Sequence, residues 1–125
     1  MSQSSLFYRA ALSLGVALLA GCAPAQKSFE RDVRPILTQG CLECHQPGGA
    51  GFIASGLDMS SYDSLMKGTK FGPVIKPGSS VASAFNALVE GRANPAIRMP
   101  HGREPLQDKD IETLKLWVDQ GAKNN

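Results

Sequence analysis

The stretch that decides the fold is "GCLECHQPGG", Gly40 to Gly49. Within it, Cys41, Cys44 and His45 form a Cys-Leu-Glu-Cys-His run. Two thiols three positions apart, followed at once by an imidazole, admit four chemistries. A disulfide would close a very small loop and leave His45 without a use. A thioredoxin-like pair belongs in a βαβ setting, and no run of this chain alternates with the period of a strand. A zinc site needs a fourth soft ligand, and the only other histidine is His101. The fourth chemistry uses all three side chains. Cys-x-x-Cys-His is the attachment signal of a c-type haem, in which both thiols bond to the macrocycle and the adjacent imidazole meets the iron.

The third cysteine, Cys22, lies upstream in a segment of different character. Met1 to Ala10 is short and polar, with one positive charge at Arg9. Leu12 to Ala20, "LSLGVALLA", is apolar but well short of the roughly 20 residues that span a bilayer. A basic start followed by a short apolar run predicts a secretory signal. It ends in Leu19-Ala20-Gly21-Cys22, which looks like a bacterial lipobox. The expectation is that residues 1–21 are removed as a signal peptide and that Cys22 carries lipid. Each buried CH₂ contributes about 0.8 kcal/mol, so several chains anchor stably. The expected place is the periplasmic side of a bacterial membrane. Residues 22–28 then form a short lipid-anchored linker, and residues 29–122 the domain. Export agrees with the haem reading, because bacteria attach c-type haem outside the cytoplasm.

The length of 125 residues suits one domain. A net charge of +2 and a hydrophobic content of 42% point neither to disorder nor to a nucleic-acid partner. Helical spacing recurs along the chain. Ser28 is a candidate cap for a first helix, with Phe29, Val33, Ile36 and Leu37 on one face. Pro35 either kinks that helix or opens a second short one. Pro47 to Gly56 is glycine-rich and reads as loop. Ser60 or Ser61 caps a helix over Tyr62 to Lys67, stopped by Gly68. Ser79 opens another, with Val81, Phe85, Leu88 and Val89 as its stripe and Gly91 as its end. The clearest helix carries Asp108 and Asp110 in its first turn, then Ile111, Leu114, Trp117 and Val118, and ends at Gly121. The expectation is an all-α fold of about four short helices. Their long Gly/Pro loops make sense if a haem, rather than side chains alone, fills the core.

A second axial ligand is sought among Met59, Met66, Met99 and His101. Met59 and Met66 sit with Leu57 and Leu65 and read as flexible core filler. Met99 stands in "AIRMPHG", where Pro100 biases it to an extended backbone able to cross the far face of a haem. Met99 is the favoured distal ligand and His101 the alternative. His45 as proximal ligand should donate its second ring nitrogen to a backbone carbonyl, for which Gly72 to Pro77 is a candidate source. With both axial positions filled there is no place for substrate, so the expectation is an electron carrier and not an enzyme. Other readings are a haem sensor or peroxidase-like enzyme with an open distal site, and a haem-bearing accessory subunit of a membrane redox complex. Lys67, Lys70, Lys76, Arg92, Arg98 and Arg103, against Glu90 alone, make a basic stretch that would steer an acidic redox partner. The competing reading is a set of solvated loop charges, with Arg98 pairing a haem propionate.

These motifs together resemble the planctomycete-type cytochrome c family. The resemblance runs through "FERDVRPILTQGCLECHQ", "SGLDMSSYDSLMKG", "GPVIKPGSSVASAFNALVEG", "RMPHGREPL" and "DKDIETLKLWVDQGA". It implies a class I cytochrome c-like fold around one covalent haem c. It also implies haem-linking roles for Cys41 and Cys44, a proximal role for His45 and a distal role for Met99. In such a fold the first and last helices cross beside the haem, which would set Phe29 or Val33 near Leu114 and Trp117.

Overall fold

The computed structural model describes Gly21 and residues 23–125. The expected signal segment, Gly21 apart, and the expected lipidation site Cys22 lie outside the described residues. Among the described residues there is no strand, and the architecture is all-α. No described helix is long and apolar enough to cross a membrane.

The chain enters the fold at Ser28, whose hydroxyl accepts the Arg31 N–H while its own N–H donates to Asp32. A π-helical turn, Phe29–Val33, then runs directly into helix α1, Arg34–Gly40. The wide turn resolves the two possibilities left by Pro35. Proline lacks an N–H and its ring collides with the carbonyl four residues back. Placed in the first turn of α1, directly after the π turn, Pro35 falls where no intrahelical donor is needed.

Helix α2, Ala50–Ser55, falls inside the glycine-rich stretch expected to be loop. Glycine weakens a helix by about 0.5–1 kcal/mol relative to alanine, so local propensity hides this element. Tertiary contact overrides propensity here: the Phe52 N–H donates to the Cys44 carbonyl at 2.9 Å. Five helices therefore stand where about four were expected. Helix α3, Tyr62–Lys67, has the expected bounds, with Ser61 and Ser64 forming a reciprocal capping box. Helix α4 spans Ala84–Val89 and starts later than expected. Its cap is Ser83 rather than Ser79, because the Ser83 hydroxyl donates to the Ser79 carbonyl and accepts the Lys76 N–H. That bonding draws residues 79–83 into turns and leaves Val81 78% exposed, off the core stripe. A 3₁₀ turn, Pro95–Ile97, precedes the last loop, and helix α5, Asp108–Asp119, closes the fold.

The core forms where the π turn crosses α5. Phe29 lies 5.6 Å from Trp117 and 5.3 Å edge-on from Tyr62, ring centre to ring centre. Val33, Leu37, Leu65, Leu114 and Val118 complete it, all essentially without solvent exposure. Each such side chain contributes about 1.5–3 kcal/mol by burial. Helix α4 packs on the same α5. The segment expected to be linker is part of this assembly. Gln120 bonds to the backbone of Ala25 and Lys27, and Asn125 bonds to Lys27, Ser28, Phe29 and Glu30. These polar ties join residues 25–30 to residues 120–125, on either side of the expected limits of 29 and 122.

Candidate functional site

Helix α1 ends at Gly40 with Cys41 as its cap, and the Cys-x-x-Cys-His run follows at once as turns. The Cys41 N–H donates to Leu37, and the Cys41 carbonyl accepts from both Cys44 and His45 at 3.1 and 2.9 Å. The two cysteines therefore sit one turn apart, and both are free thiols. The backbone beyond them is gripped from the other side. Cys44 accepts from Phe52 in α2, and His45 accepts the Met59 N–H at 2.8 Å.

Cys41, Cys44, His45, Met99 and His101 all line one predominantly apolar cavity of about 380 Å³. That size lies within the roughly 300–1,000 Å³ typical of small-molecule and cofactor sites. Leu57, Met59, Val74, Phe85, Leu88 and Val89 supply its walls. The exposed residues Ala50 and Ala54 on one side, and His101 and Arg103 on the other, mark where it meets solvent. Met99 is half-buried and hangs from α4 through its N–H, which donates to the Leu88 carbonyl at 3.2 Å. Met66 packs against the core and does not line the cavity, whereas Met59, read as filler, does both. Arg103, rather than Arg98, reaches the cavity; Arg98 folds over Gly91.

The electrostatics separate the possible chemistries. Burial pushes the Cys41 thiol up to about 11, with Cys44 adding to the rise and Arg103 opposing it. A thiol so raised is protonated at neutral pH and unsuited to thiolate redox chemistry. Among the described residues no three His, Cys, Asp or Glu side chains converge as metal donors, which disfavours the zinc arrangement. Burial also lowers the His45 pKa, against a smaller opposing effect of the Leu57 backbone, and so favours the neutral, ligating form of the ring. Its Nδ1 is buried without a hydrogen bond of normal geometry. The backbone that approaches His45 belongs to Leu57, not to Gly72–Pro77, because the chain after α2 turns back beneath the ring.

Two residues that the sequence left as plain loop shape this site. A Cβ on Gly51 would lie 2.7–3.0 Å from three atoms of the His45 imidazole, so only glycine lets α2 approach the ring. A Cβ on Gly49 would collide with the backbone carbonyl of Cys44. The "GGAG" run just after the haem signal is the feature that could have revealed them.

The residues present fit a c-type haem. Two thiols, an imidazole and a thioether from the Met99 loop line a cavity of suitable size, whose remaining lining is largely apolar. A family model described as Planctomycete cytochrome C matches residues 41–101, a span that opens on Cys41 and closes on His101. No curated protein and no solved structure matches the chain. Over this span the chain is similar to the planctomycete cytochrome c family, a likeness that supports haem c as cofactor and haem-based electron transfer as role.

Proposed function

We propose that this protein is a single-electron carrier with one covalent haem c, joined through Cys41 and Cys44 and ligated by His45 and Met99. The observation that carries the reading is the convergence of these four side chains on one apolar cavity. Bound there, the haem supplies a one-electron Fe(III)/Fe(II) couple. One electron enters from a donor and one leaves to an acceptor, and no bond is made or broken in the protein. The chain's own residues do the rest. Leu57, Val74, Phe85 and Val89 keep water from the cavity, and a thioether ligand from Met99 together with burial would raise the reduction potential of a bound haem. Gly51 lets the imidazole sit flat against α2. The carrier works at the periplasmic side of a bacterial membrane, tethered by lipid on Cys22, and is not an enzyme.

Lys67, Lys70 and Lys76 are exposed and have no ion-pair partner among the described residues. They remain available to steer an acidic redox partner. Arg92 and Arg103 are engaged instead with Glu90 and Glu43, which narrows the basic surface to the lysines.

The test is an optical spectrum of the purified, detergent-solubilised protein, oxidised and reduced, through the near-infrared. A low-spin c-type spectrum with the weak methionine–ferric charge-transfer band is expected, and Met99→Ala should abolish that band. A low-spin spectrum without it would move the distal ligand to His101. A high-spin spectrum would refute the closed-site carrier and favour a sensor or peroxidase-like enzyme.

A further inference from the structure

Phe71 is 86% exposed, the most exposed large apolar side chain among the described residues. Single exposed apolar residues are ordinary on protein surfaces. Three observations set this one apart. The first is that its turn is closed from several directions. Thr69 and Gly72 exchange backbone hydrogen bonds at 2.9 and 3.0 Å, and the Thr69 hydroxyl donates to Gly72 while accepting the Phe71 N–H. The Lys70 N–H is tied to the Ser55 carbonyl at the end of α2. A ring held out by such a turn has little ordering left to lose on binding.

The second is position. Thr69 lines the cavity, but Phe71 does not, so a haem seated there would leave the ring uncovered. The turn also docks on α2, whose Ala50 and Ala54 reach the cavity and whose Ile53 is exposed. The third is charge. The Lys70 ammonium lies 5.3 Å from the Phe71 ring centre, and the run from Lys67 to Lys76 contains no acid. An aromatic centre with a cationic rim, beside the mouth of a redox cavity, matches the anatomy of a binding hot spot.

We propose that Phe71 is the anchor of a docking surface for an acidic electron-transfer protein. The ring enters an apolar pocket of that partner while Lys67, Lys70 and Lys76 face its carboxylates. This rests on the electron-carrier reading above. A protein partner suits the position better than a lipid surface, because lipid laid over this face would cover the route by which electrons leave.

The experiment follows oxidation of the reduced holoprotein by detergent-solubilised membranes of the native organism, at varied protein concentration and ionic strength. Ferricyanide, a small oxidant that needs no docking, serves as the second acceptor. Phe71→Ser should raise the half-saturating concentration at least tenfold with membranes, and leave the ferricyanide rate and the optical spectrum unchanged. Replacing the three lysines by glutamine should flatten the salt dependence. If Phe71→Ser saturates as wild type does, the anchor is refuted, even where the lysine variant still flattens the salt response. If Phe71→Ser instead loses binding to anionic phospholipid vesicles, with membrane oxidation unaltered, the surface is a lipid contact and the proposal falls. A wild-type protein that membranes do not oxidise would refute the carrier reading itself.

Discussion

Adding one methyl group at Gly51 sets two effects of opposite sign against each other. In an unencumbered helix, Gly→Ala stabilises by about 0.5–1 kcal/mol, because glycine loses the most backbone freedom on folding. At position 51 the new Cβ would lie 2.7 Å from His45 Cε1, 2.9 Å from Nε2 and 3.0 Å from Nδ1. Ordinary carbon contacts lie at about 3.5–4.0 Å, so the ring or the helix must retreat by about 1 Å. Overpacking of this kind costs about 1–3 kcal/mol, which leaves a net destabilisation of up to about 2.5 kcal/mol after the helical gain is subtracted. If His45 ligates haem iron as proposed, the displaced imidazole would also meet it differently. The assay is therefore double: urea unfolding of the holoprotein, and a spectroscopic redox titration of the same samples. Gly51→Ala should lower the urea midpoint and move both the potential and the near-infrared band. A variant more stable than wild type by about 1 kcal/mol, with spectrum and potential unchanged, would show that the ring is not wedged against α2.

The amide of Asn125 bonds to the Phe29 N–H and to the Lys27 carbonyl at 3.0 and 3.2 Å. Asn125→Ala should therefore cost about 1–2 kcal/mol in urea unfolding at neutral pH, and an unmoved midpoint would mean that these bonds merely replace water. Asp32 is held below its ordinary 3.8, chiefly by the Ser28 N–H and also by Arg31, with partial burial opposing. A carboxylate depressed in the folded state stabilises above its ordinary pKa and loses that contribution as pH falls through the folded value. Wild type should therefore exceed Asp32→Asn in urea midpoint at neutral pH. The gap should close below about pH 4, and a gap independent of pH would refute the assignment.

What the sequence made legible follows from how local each signal was. Helix α3 carries its cap and its stop within a few residues, at Ser61 and Gly68, and it forms with the expected bounds. Helix α5 announces itself through an acidic first turn and a repeating apolar face, and Phe29 packs on Trp117 as the family resemblance implied. Helix α2 was invisible because its stabilisation is not local. It exists because Phe52 reaches the Cys44 carbonyl and because Gly49 and Gly51 permit close approach, none of which propensity records. The start of α4 shifted for a similar reason: serines at 79 and 83 are equally good caps on paper, and their mutual hydrogen bond chooses between them. At the site, spacing singled out Cys41, Cys44 and His45 and Pro100 singled out Met99, and all four line the same cavity. The Leu57 backbone near His45, and the exchange of Arg103 for Arg98 at the cavity, depend on how distant loops fold back.

The paired ends of the fold have an architectural consequence. The Ser28 hydroxyl meets the Asn125 carbonyl at 2.5 Å, so residues 28 and 125 lie side by side. Inserting such a unit into a surface loop of another protein would cost little closure entropy, because the host loop's ends need barely separate. The same geometry would let a short bridge join residue 125 to residue 28 while the unit is reopened at a loop. The fold is in this sense a redox cassette, able to hang from a tether, sit between two partners in one chain, or be reopened at a loop without disturbing the Phe29–Trp117 core.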